Sequence, residues 1–204
     1  MGLLDRFRNA SNAERQRAEF EQLTRHCFAE LLDNLRALVS ESAVPKIVIA
    51  GVSGTEPVEN ITAGAVAEAE ERGLDLVTGE LVARFEHRVL RRHDDTANGP
   101  EPLKLSGNPP PAVTRRWLEE AATGHDFLLV EGPPLEKSVE SALLARYCDG
   151  LVILVEVDVT PRLVLQAAVQ RAEAAGCTLL GLVMTGTPNA QPYWLRKLLP
   201  RTIL

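Results

Sequence analysis

Phe127-Leu128-Leu129-Val130-Glu131-Gly132-Pro133-Pro134 is the stretch from which the rest of the chain can be read. Four apolar residues in succession, with no polar alternation, describe a strand buried on both faces. Gly132 and two prolines end it in a turn. Downstream, Ser138 to Cys148 reads as a helix and Gly150-Leu151-Val152-Ile153-Leu154-Val155 as a second buried strand. A helix from Thr160 to Ala175, closed by Gly176, leads to a further strand, Leu179-Leu180-Gly181-Leu182-Val183-Met184. Strands that are apolar throughout and alternate with helices require a parallel sheet covered on both sides. The expected fold class is α/β: doubly wound and mostly parallel.

The upstream half extends this pattern. Pro45 forces an extended entry into Lys46-Ile47-Val48-Ile49-Ala50, and the loop Gly51-Val52-Ser53-Gly54-Thr55-Glu56-Pro57 follows. Val58 to Arg72 is an Ala-rich helical pattern stopped by Gly73, and Leu74 to Thr78 reads as a strand, which together make a βαβ unit. Residues 13–39 read as a helix whose stripe is Phe20, Leu23, Cys27, Leu31, Leu35 and Leu38. Residues 84–95, dense in Arg, His and Asp, read as a solvated, salt-bridged helix face, with a surface for an anionic ligand or an acidic partner as the alternative. The Pro- and Gly-rich residues 96–113 read as a surface loop, and Trp117 to Ala122 as helix. The chain thus divides into an N-terminal helical segment (1–44), an α/β domain (45–187) and a tail (188–204).

Composition removes several function classes. A net charge of -6 leaves no excess of Lys and Arg to neutralise phosphates, so no nucleic-acid partner is expected. No apolar run approaches the roughly 20 residues that cross a bilayer. Cys27, Cys148 and Cys177 are scattered and form no CxxC, which reads as reduced thiols in a cytoplasmic protein. His26, His87, His93 and His125 lack ligand spacing, so no metal site is expected.

In sheets of this kind ligands bind beyond the carboxyl ends of the strands, which directs attention to loops 51–57, 78–84 and 131–138. A P-loop that hydrolyses nucleotide needs Gly-rich backbone N–H groups, a Lys for the outer phosphates and a Ser or Thr hydroxyl on Mg²⁺. Gly51, Ser53, Gly54 and Thr55 supply the loop, but no lysine lies between residues 51 and 60. Glu56 and Glu59 would repel a triphosphate, and Pro57 removes one N–H. Glu131, at the tip of an apolar strand, stands where P-loop enzymes hold the Mg²⁺ water shell, and it is the candidate catalytic residue if the protein is active.

From Ala29 to about Thr187 the order resembles the cytoplasmic domain of bacterial tyrosine kinases of the capsular and exopolysaccharide type, which have the P-loop NTPase fold. Three stretches carry the resemblance. Phe127 to Pro134 is similar to that family's strand ending in Asp-Thr-Pro-Pro. Cys148-Asp149-Gly150 to Val155, with Thr160 and Arg162, is similar to its aspartate-glycine strand and the helix start after it. Leu180 to Met184 is similar to its last strand. This chain departs from the family in four respects. The Walker A lysine and the Ser/Thr after it have no counterpart. The second acidic motif is reduced to Glu80. The C-terminal tyrosine cluster is reduced to Tyr193. In the ring-forming Glu-x-x-Arg-x-x-Arg helix, Glu30, Asp33 and Arg36 occupy the three positions, so the middle Arg has become acidic.

The resemblance, with these departures, implies a non-catalytic regulator or scaffold in exopolysaccharide biosynthesis or export, with no cofactor. Its implied partners are a membrane polysaccharide co-polymerase or an active tyrosine kinase, and it would lie in the cytoplasm or peripherally at the inner membrane. Glu30, Asp33 and Arg36 would mark the oligomer or partner helix. Two alternatives stay open. One is a weak autokinase or ATPase that uses ATP and Mg²⁺ with Arg84 or Arg88 in place of the lysine. The other is a ParA/MinD-like positioning protein.

Overall fold

A computed structural model describes residues 25–84, 87–92, 101–104 and 110–186. Its described elements are a helix over 25–38 (α1), β1 (Lys46–Gly51), α2 (Val58–Glu71), β2 (Leu76–Arg84), β3 (His87–Arg92), β4 (Leu103–Lys104) and α3 (Pro111–Ala122). They continue with β5 (Phe127–Gly132), α4 (Glu140–Ala145), β6 (Gly150–Glu156), α5 (Arg162–Ala175) and β7 (Leu179–Thr185). Seven strands form one sheet in the order β4-β3-β2-β5-β1-β6-β7. The β2-β5-β1-β6-β7 block is parallel, while β3 and β4 add antiparallel to its edge. The expected α/β, mostly parallel architecture is the observed one.

The apolar runs fold as they do because they are buried on both faces. Ile47, Val48, Ile49 and Ala50 of β1, and Phe127 through Val130 of β5, are wholly inaccessible to solvent. Alternate residues face two cores. Val48, Ala50, Leu128, Val130, Leu151 and Ile153 meet α3, α4 and α5 through side chains such as Trp117, Leu118, Ala142 and Ala168. Ile47, Ile49, Phe127, Leu129, Val152 and Leu154 meet α1 and α2 through Leu32, Leu35, Val39, Ala65 and Ala69.

Two local readings need correction. The stripe of α1 is rotated from the one expected. Leu35 is buried as expected and Leu31 is half-buried against the same core, but Leu32 and Val39 are buried in place of Cys27 and Leu38, which are exposed; leucines lie on several faces of this helix, and spacing alone does not rank them. The basic stretch read as a helix face contains a strand. β2 runs on to Arg84 and pairs antiparallel with β3, Leu81 opposite Leu90 and Glu80 opposite Arg91. The expected βαβ unit is present, with β5 lying between its two parallel strands β1 and β2. Residues 13–24 of the expected N-terminal helix, most of the 96–113 loop and the tail 188–204 fall outside the described residues.

Candidate functional site

β1 and β5 lie side by side, with Ala50 opposite Gly132, yet the chain leaves them toward opposite faces. After β1 it enters α2, which packs into the core shared with α1. After β5 it enters α4, which packs into the other core. That divergence opens a crevice at the carboxyl ends of the two strands, the place where α/β sheets bind ligands. A cleft of about 270 Å³ lies there, between Gly51, Gly54, Glu56 and the first turn of α2 on one side and Gly132 and Pro134 on the other.

The two loops are fastened to each other. The N–H groups of Leu135 and Glu136 donate to the carbonyls of Gly51 and Val52 at 3.0 and 2.9 Å. The Arg171 guanidinium of α5 donates to the Leu135 and Glu136 carbonyls at 2.6 and 2.7 Å, and the buried Ser141 hydroxyl donates to Pro133 O at 2.6 Å. The Pro134 ring closes over Gly54, whose φ of +92° only a glycine adopts without strain. Gly132 and Pro134 thus form one wall of the cleft, and the bond to the Pro133 carbonyl between them holds it in place.

Glu56 is the residue whose role the sequence did not reveal. Its side chain turns inward, and the residue is only 6% exposed. The Gly54 N–H donates to its carboxylate at 2.8 Å, and the Ser53 N–H is shared between the two oxygens at 3.1 and 3.2 Å. The Ser53 hydroxyl (3.0 Å) and the Thr160 hydroxyl (3.1 Å) donate to Oε1. Successive loop N–H groups converging on one point make an anion-binding nest, and here the anion is the chain's own carboxylate. Burial pushes the Glu56 pKa up. Hydrogen bonds from its own N–H, from Gly54 and from Ser53 outweigh burial and hold it below the usual carboxylate value, so the group is ionised at neutral pH. Gly51 makes room for this arrangement, since a Cβ there would stand 2.7 Å from Glu56 Oε2.

The other expected site residues are distributed unevenly. Ser53 and Thr55 join hydroxyls at 3.2 Å on the loop. Glu131, one residue before the end of β5, lies beside Glu80 in register and accepts a hydrogen bond from Thr62 of α2, a residue that is 2% exposed. Glu80 itself holds Arg91 at 2.7 Å. Arg84 lies four residues beyond Glu80 on the β2–β3 hairpin, and Arg88 lies on the opposite strand. Glu30 pairs with His26 at 3.2 Å, Asp33 with Arg72 at 2.8 Å, and the Arg36 guanidinium lies 5.6 Å from the Phe127 ring centre. All three therefore have partners within the chain. Among the described residues no His, Cys, Asp and Glu side chains group as a metal site.

Two residues outside the expected site set stand against loop 51–57. Thr160 bridges the Glu56 carboxylate and the Glu156 N–H, tying the first loop to the β6–α5 turn. The Lys137 ammonium lies 3.3 Å from where a Gly54 Cβ would stand, which brings a positive charge over the loop from the β5 side. A basic residue three positions after a Pro-Pro turn was the available signal for Lys137.

No family model matches the chain. A tyrosine-protein kinase CpsD of Streptococcus agalactiae is 26% identical over 85 residues, 42% of this chain and 36% of that protein. The kinase domain of Escherichia coli tyrosine kinase ETK superposes with a TM-score of 0.64 at 15% identity, over 83% of this chain and 78% of that one. Part of the sequence is thus similar to a bacterial tyrosine kinase, and the fold is that of bacterial tyrosine kinase domains. The BceF tyrosine kinase domain matches with a TM-score of 0.59 at 16% identity, over 81% of this chain and 76% of that one. The solved kinase domains share its fold, whereas the CpsD match spans about a third of the length of those curated relatives.

Proposed function

We propose that this chain is a non-catalytic scaffold or regulator of exopolysaccharide synthesis or export. One observation carries the reading: the carboxylate of Glu56 fills the nest that a phosphate would need. A nucleotide phosphate would have to displace a buried anion that accepts bonds from the N–H groups of Ser53 and Gly54, from its own N–H and from two hydroxyl groups, and no lysine between residues 51 and 60 would compensate. The residues at the loop therefore do not fit a Mg²⁺–nucleotide. Glu131, engaged with Thr62, serves in this reading to fix β5 against α2.

Its partners would be those of its kinase relatives' systems: a membrane polysaccharide co-polymerase or an active tyrosine kinase, met in the cytoplasm at the inner face of the membrane. No helix among the described residues is long and apolar enough to cross a membrane. A second reading, a weak autokinase or ATPase, has one observation in its favour, the Lys137 ammonium above Gly54. Calorimetric titration with Mg-ATP and Mg-ADP separates the two. The scaffold reading predicts no heat at millimolar nucleotide, and micromolar binding that is lost in Lys137→Ala, together with phosphate release or autophosphorylation, would favour the second.

A further inference from the structure

A nest of backbone N–H groups in a P-loop relative is ordinarily an empty socket for an external anion. Here the N–H groups of Ser53 and Gly54 that point into it are already used, and the acceptor comes from two residues further along the same loop. The fit is built rather than incidental. Gly54 supplies the positive φ that brings its N–H and that of Ser53 to one point, and Gly51 leaves space for Oε2. Thr160, 104 residues away in sequence, reaches in to donate a further bond. We propose that Glu56 is a built-in anion that occupies the oxyanion position of this loop. It holds loop 51–57, the Gly132–Pro134 wall and the β6–α5 turn in one arrangement that needs no nucleotide. In a nucleotide-switched protein these three segments would move with the ligand, whereas here an internal ligand keeps them fixed. The surface they form is then constant, as a scaffold that displays one face to a partner requires. The inference rests on the scaffold reading for its purpose, though not for its geometry.

The test is chemical rescue by a tetrahedral oxyanion. Glu56→Ala vacates the socket, and inorganic phosphate is the probe, set against sodium chloride at matched ionic strength. Thermal unfolding of the full chain should show in the wild type only the modest, non-saturating stabilisation that phosphate gives folded proteins in general. Glu56→Ala should melt several degrees lower in chloride and recover at least half of that loss in phosphate, along a saturable curve. Equal responses of the variant and the wild type to phosphate would overturn the proposal. If Glu56→Ala does not fold in chloride, refolding in phosphate supports the proposal equally, and failure to refold in either salt counts against it. Glu56→Gln is a second, independent variant. It keeps the volume but turns an NH₂ toward N–H donors, so it should melt below wild type in both salts. Wild-type stability of Glu56→Gln would sink the idea. Failure of the rescue leaves the scaffold reading standing, since the loop still lacks a lysine. Nucleotide binding by the wild type would remove the scaffold reading without touching the rescue result.

Discussion

Replacing Gly132 with alanine probes the wall of the cleft directly. Gly132 ends β5, and a Cβ on it would overlap the Ser141 hydroxyl oxygen and stand 2.9 Å from the Ser141 Cβ. Ser141 is wholly buried on α4, and its hydroxyl donates to Pro133 O at 2.6 Å, so it cannot retreat without losing that bond. Overpacking a tight site costs about 1–3 kcal/mol. The lost buried hydrogen bond adds about 1–2 kcal/mol, giving roughly 2–5 kcal/mol in all. For a chain of this size that is a fall in Tm of roughly 5–15 °C. Urea unfolding of Gly132→Ala, Ser141→Gly and the double variant would measure it, with unchanged m-values as the condition for comparison. Removing the Ser141 side chain relieves the clash, so the double variant should lose clearly less than the sum of the singles. A Gly132→Ala variant within about 0.5 kcal/mol of wild type, or strict additivity in the cycle, would refute the reasoning.

Four further outcomes are expected. Gly64 sits under the Phe28 ring, and a Cβ there would overlap the ring edge, with even Cε1 only 2.7 Å away. Gly64→Ala should therefore destabilise the wild type in urea despite its helix propensity, yet stabilise Phe28→Ala by about 1 kcal/mol. Arg171→Ala should cost about 1–2 kcal/mol and speed amide exchange at Lys137 and Ser138, whose N–H groups bond within the turn that Arg171 holds. The lowered pKa of Glu56 means that its contribution is present above the unfolded carboxylate value near about 4.3 and is lost as pH falls through the folded one. Over that acid window wild-type stability should therefore fall more steeply than that of Glu56→Gln, as read by unfolding at a series of pH values. Burial and the neighbouring Asp149 push the Cys148 thiol up to about 12 despite Lys46 nearby, while Cys27 is exposed. Iodoacetamide at neutral pH should accordingly label Cys27 well before Cys148, as mass spectrometry of the peptides would show.

The central strands were legible in the sequence because burial on both faces writes itself as an unbroken apolar run, as in Phe127–Val130 and Gly150–Val155. β3 was not legible. His87-Arg88-Val89-Leu90-Arg91-Arg92 shows only two central apolar residues among charges, and an antiparallel strand near the sheet edge needs no more than that. The site was half legible. The glycines and the Pro-Pro turn located the crevice, and the missing lysine was visible by inspection. Glu56 was counted as a carboxylate that would repel a phosphate. Whether it faces the cleft or the nest depends on the positive φ of Gly54 and on Thr160, neither of which a residue type discloses. The helix positions Glu30, Asp33 and Arg36 were likewise visible as a spacing, but their partners His26, Arg72 and Phe127 emerge only from the folded α1 and its packing against α2 and the sheet.

If the loop's anion socket is filled from within, the amide resonances of Ser53 and Gly54 report it most directly. We would follow them in ¹⁵N spectra of the wild-type chain during titration with Mg-ATP. The account predicts that both stay in place at millimolar nucleotide, with the carboxylate of Glu56 retaining its bonds. Saturable shifts of these two amides at micromolar Mg-ATP would contradict it.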